Sequence, residues 1–106
     1  GMSRYAGKFA LMAHNYTRTL FAVRRYDDAL EVAELGRKVC VEYAHYQFLP
    51  GLLDLMGGCY FYQGDLDKCK EYYRDAHCLY RIIGDDHNRL LLEKEAKERL
   101  GLEFPF

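Results

Sequence analysis

The chain has 106 residues, half of them hydrophobic, and a formal net charge of −1. Ten Tyr and six Phe supply enough apolar surface to offset the entropy of ordering, so a disordered chain is excluded. No stretch of about 18 apolar residues occurs, which excludes a membrane-spanning helix, and near-neutrality argues against a generic nucleic-acid binder.

In chain order, the pattern predicts helix after helix. Residues 3–24 contain no proline, and Phe9, Ala13, Tyr16 and Leu20 recur at helical spacing. Arg24 and Arg25 suit the C-terminus of this helix. A second helix opens at Tyr26-Asp27-Asp28, and Tyr26, Ala29, Ala33, Gly36, Cys40 and Tyr43 mark one face of it. Residues 44–49 connect to a third helix, with Pro50 in its first turn and Leu53, Met56, Gly57 and Tyr60 on one face. Gly64-Asp65 gives a helix stop followed by an N-cap. The fourth helix carries Leu66, Cys69, Tyr73, Ala76, Tyr80 and Ile83 on its stripe. Gly84 ends it, Asp85 or Asp86 caps a last helix through Leu100, and Gly101 stops that one. Residues 102–106 are predicted to be apolar and non-helical.

The charge is uneven. Residues 1–26 carry Arg4, Lys8, Arg18, Arg24 and Arg25 and no acid, against ten basic and sixteen acidic residues in the remainder. Such a split marks either an arm for nucleic acid or membrane, or a basic helix packed beside acidic ones. The second is the expectation. Cys40, Cys59, Cys69 and Cys78 include no C-x-x-C pair, so zinc-ribbon spacing is missing. All four are expected to be reduced thiols buried as small hydrophobes, in keeping with a cytoplasmic protein.

The stripes at 26, 29, 33, 36, 40, 43 and at 66, 69, 73, 76, 80, 83 have the same internal spacing, displaced by 40 residues. Phe21 and Phe61, Asp27 and Asp67, and Glu31 and Glu71 are identical at that displacement. A period near 40 with two helices in each unit is the signature of a helical solenoid.

The segment Leu53-x-x-Met56-Gly57-x-x-Tyr60-x-x-x-Gly64-x-Leu66-x-x-Cys69-x-x-x-Tyr73-x-x-Ala76 resembles a tetratricopeptide repeat (TPR), with Cys69 where a small Ala is usual and Arg81 where the motif closes on Pro. More narrowly, Arg25-Tyr26-Asp27-Asp28-Ala29-Leu30-Glu31, Tyr60-Phe61-Tyr62-Gln63-Gly64-Asp65 and the run from Ala76 to Asp85 resemble the C-terminal repeat region of Gram-positive helix-turn-helix transcription regulators. That resemblance implies an all-α fold: two antiparallel helix pairs plus a C-terminal helix in a TPR-like right-handed α-solenoid. The whole chain would form one domain, with repeats about 6–45 and 46–85 and a capping helix about 86–100. It also implies a module that binds short peptides or proteins and regulates transcription. The DNA-reading domain of those regulators does not lie in this sequence, so no direct nucleic-acid contact is expected, and no membrane contact.

No triad, phosphate loop or metal-ligand spacing is present, so no enzyme activity, no metal and no cofactor is expected. In the repeat register, the first helix of each pair would line a concave groove. His14, Arg18 and Phe21 would line it in the first repeat, and Asp54, Gly58, Phe61 and Tyr62 in the second. Aromatic rings there suit apolar side chains, and Arg18 suits a carboxylate. The competing expectation is assembly. Fewer than three repeats leave apolar ends exposed, so a homodimer is expected, and a scaffold or oligomerisation module without a ligand is the alternative function.

Overall fold

A computed structural model describes residues 2–106. Five helices succeed one another, α1 (Met2–Ala22), α2 (Tyr26–Glu42), α3 (Leu49–Tyr62), α4 (Leu66–Ile83) and α5 (Asp86–Leu100), and no strand occurs among the described residues. The helix boundaries obey the sequence signals. Pro50 sits in the first turn of α3. The Asp65 carboxylate accepts the Lys68 backbone N–H at the start of α4, and Asp85 does the same for Asn88 at the start of α5.

The helix ends repeat at the predicted period. Arg24 and Gly64, 40 residues apart, both take left-handed backbone conformations after α1 and α3 (φ 64° and 81°). Ala44 and Gly84 do so after α2 and α4 (φ 58° and 76°). Each turn is closed by the same bond at 2.9 Å. The N–H of Arg25, His45, Asp65 and Asp85 donates to the carbonyl of Leu20, Cys40, Tyr60 and Tyr80, respectively. This six-to-one closure ends a helix on a left-handed residue. The second unit uses Gly at both left-handed positions, whereas the first tolerates Arg24 and Ala44.

Small residues set the helix spacing. α1 buries Ala6, Ala10, Ala13, Thr17 and Leu20, and α2 buries Ala29, Ala33, Gly36 and Cys40. Gly36 lies so close to Ala13 that a Cβ there would approach the Ala13 methyl to 2.9 Å. α3 is the central helix, and eight of its residues are buried, including Leu49, Leu52, Leu53, Met56, Gly57 and Cys59. A helix buried around most of its circumference has no polar face to mark its orientation. α4 lays the fully buried Tyr73 directly on Gly57, where a Cβ would overlap the ring. The segment after α5 returns over α4. Phe104 stacks on His77 at 3.8 Å between ring centroids, and the Arg74 Nε donates to the Phe106 carbonyl at 2.6 Å.

Three expectations change. Phe9 and Tyr16 share the helical spacing of Ala13 and Leu20 but are exposed, because the small residues Ala6, Ala10 and Thr17 take the buried side. Leu66 and Ile83 are exposed at the two ends of the α4 stripe. Cys78 is exposed, whereas Cys40, Cys59 and Cys69 are buried free thiols. Burial pushes the thiols of Cys59 and Cys69 up to about 11.

Gly57→Ala should destabilise the fold by roughly 2 kcal/mol in urea unfolding, since the added methyl must displace Tyr73. Ala44→Gly should stabilise by about 1 kcal/mol and Gly84→Ala should cost about the same, as relief and imposition of left-handed strain.

Candidate functional site

Three helices converge on a cleft whose lining is Phe21 from α1, Asp54, Leu55 and Gly58 from α3, and Glu95 and Arg99 from α5. It opens beside a recess of about 430 Å³ lined by Phe21, Ala22, Arg24, Tyr26 and Tyr62. Phe21 belongs to both. The rim between them is aromatic. Tyr62 stacks on Tyr26 with centroids 5.3 Å apart and planes 6° from parallel, while Phe21 meets both edge-on at 5.6 Å and 5.8 Å. Tyr62 nonetheless remains 52% exposed.

Gly58 makes this approach possible. A Cβ there would lie 2.9 Å from the Phe21 ring edge and 3.5 Å from the Arg99 guanidinium. The glycine backbone is therefore the floor on which ring and guanidinium rest.

Arg99 is the hub. Its guanidinium lies over the rings of Phe61 and Tyr62, 5.4 Å and 5.3 Å from their centroids. It donates to the buried Tyr73 hydroxyl, reaches the Tyr62 hydroxyl at 3.5 Å and lies 3.7 Å from the Glu95 carboxylate. Burial opposes the charge, but Tyr73, Glu95 and Tyr62 outweigh it and hold the group above its ordinary value. The charge is thus fixed within a partly apolar setting.

Asp54 occupies the inner end. The Tyr80 hydroxyl donates to its carboxylate at 3.1 Å. Burial, and then the neighbouring Glu95 charge, push Asp54 up to about 7, against smaller lowering effects from Tyr80 and Arg99. Desolvation by burial likewise raises the hydroxyls of Tyr73 and Tyr80, so both stay protonated, Tyr80 donating to Asp54 and Tyr73 accepting from Arg99.

Of the residues the sequence singled out, Phe21, Asp54, Gly58, Phe61 and Tyr62 gather here around Arg99. His14 does not line this cleft. Its ring packs against Gly51 and lies 6.3 Å from the Phe48 ring, and burial lowers its pKa. Arg18 is exposed and makes no ion pair among the described residues. Glu95, Arg99 and Leu55 were not picked out from the sequence. The same period reveals Arg99, because Thr19, Cys59 and Arg99 stand 40 residues apart.

The cleft brings together an aromatic rim, a cation held by Tyr73 and a carboxyl raised towards neutrality. Scans against protein-family models and searches of curated proteins and of solved structures return no significant match. No helix among the described residues is long and apolar enough to cross a membrane.

The folded state holds a proton on Asp54 that the unfolded chain releases, so this group's contribution is full below about pH 4. It is lost as pH rises towards 7. Asp54→Asn, which keeps an acceptor for Tyr80, should stabilise the protein by about 1–2 kcal/mol at pH 8 and by nearly nothing at pH 4. Urea titrations at the two pH values measure the difference.

Proposed function

We propose that this chain is a non-catalytic, TPR-like right-handed α-solenoid module that binds protein or extended peptide in the cleft between its first helices, as the regulatory part of a transcription regulator. Two helix pairs with matching left-handed breaks 40 residues apart support the solenoid arrangement. On this reading α5 is the first helix of a third unit, since its buried Leu92 and Ala96 stand 40 residues beyond Leu52 and Met56. Unpaired thiols are consistent with a reducing, cytoplasmic setting.

The observation that carries the binding proposal is Arg99 held over Phe61 and Tyr62 at the mouth of the cleft. A cation fixed against the half-buried Phe61 and the exposed Tyr62 suits a peptide carboxylate next to an apolar side chain. Tyr26 and Tyr62 widen the apolar platform into the neighbouring recess.

Titration of random peptide pools, monitored by amide chemical shifts, tests this. Binding should perturb Gly58, Phe61, Tyr62 and Arg99, and Tyr62→Ala should weaken it about tenfold with little change in melting temperature. Pools that leave these amides unmoved, or binding that ignores Tyr62→Ala, would refute it.

A further inference from the structure

The inner end of the cleft holds more acid than base. Asp54 and Gly58 stand one turn apart on α3, and Glu95 and Arg99 stand one turn apart on α5. Both turns line one pocket of about 60 Å³, together with Phe21 and Leu55. Its wall therefore carries two carboxylates and one guanidinium.

The two carboxylates are not used up by their neighbours. Glu95 lies 3.7 Å from the Arg99 guanidinium, beyond hydrogen-bonding distance. Arg99 directs its hydrogen bonds at the Tyr73 and Tyr62 hydroxyls and none at either acid. Asp54 makes no ion pair among the described residues, and the Tyr80 hydroxyl is its one donor. A carboxylate has about four acceptor sites, so most of them stay open. An amide at position 54 would accept from Tyr80 equally well. What the carboxylate adds is charge.

Charge and size select what can enter. An apolar side chain would strip water from three charged groups and give them no partner. A carboxylate pushed inward past Arg99 would meet two like charges. An ammonium brings three donors to the open acceptors of both acids. About 60 Å³ admits a head group of a few atoms and no ring. Burial, and then Glu95, already push Asp54 up to about 7, and a cation beside it opposes both effects.

We propose that the inner pocket receives a primary ammonium of the ligand, held between Asp54 and Glu95, while a ligand carboxylate lies on Arg99 at the mouth. This rests on the reading of the cleft as a peptide site. It narrows the peptide to one that presents an ammonium close to an acidic group. Either the peptide's N-terminus or a lysine side chain supplies that ammonium. Asp54 and Glu95 are then specificity-determining residues, and Arg99 is flanked by opposite charge on both sides.

Three random peptide pools test this by amide chemical shifts of Leu55, Gly58 and Arg99 in the intact chain. One pool has free N-termini and no lysine, one has acetylated N-termini and contains lysine, and one is acetylated and lysine-free. A pool that carries the right ammonium should bind about tenfold more tightly than the pool that carries none. The first two pools tell which source supplies it. Asp54→Asn and Glu95→Gln should each cut the tenfold preference to about twofold or less, and circular dichroism checks that both variants stay folded. Equal affinity for all three pools overturns the ammonium and leaves the peptide cleft standing, as does a preference that survives both substitutions. Pools that all leave these amides unmoved overturn the cleft and the ammonium together.

Discussion

The seating of the Tyr73 ring on the backbone of Gly57 is the contact on which the rest of the structure depends. It fixes how near α4 comes to α3, and it leaves the Tyr73 hydroxyl pointing to where α5 passes. That hydroxyl accepts a hydrogen bond from Arg99, so core packing in the second helix pair positions the cation of the cleft. A larger residue at 57 pushes the ring outward and takes the guanidinium with it. Core packing and the placement of the cleft's cation therefore share one side chain.

The cleft gathers groups whose charges would be costly in isolation. Burial, and then the nearby Glu95 charge, disfavours ionisation of Asp54. Arg99 offsets part of this, but its guanidinium is already engaged by Tyr73, Tyr62 and two ring faces. The balance leaves Asp54 near the neutral range, donating or accepting according to pH. Gly58 is the other half of the construction. An open backbone there admits the Phe21 edge and the guanidinium together, which accounts for a second glycine beside Gly57 in a helix interior that would otherwise avoid both.

Much of this was legible in the sequence, and the misses have physical causes. Helix ends were readable because Gly64, Gly84 and Gly101 permit left-handed backbone, and Asp65 and Asp85 cap α4 and α5. The break after α1 was legible through Arg24-Arg25 and Tyr26-Asp27-Asp28, although Arg24 adopts a left-handed conformation that its side chain does not advertise. The α1 stripe misled because spacing alone does not choose between two adjacent faces. The Ala-rich face won since small side chains let α2 approach closely, and the large residues were left outside. Arg99 escaped notice because a charged residue in a terminal helix looks like solvated surface until its 40-residue relation to Cys59 places it on an inward register.

α3 and α1 differ in what covers them. Both helices hold an apolar seam in the same register, and both adjoin a helix pair of the same design. α3 buries Leu49, Leu52 and Met56, whereas Phe9, Met12 and Tyr16 at the same register on α1 are exposed. The difference lies in the neighbouring pair, since Leu52 of α3 rests against Gly36 of α2.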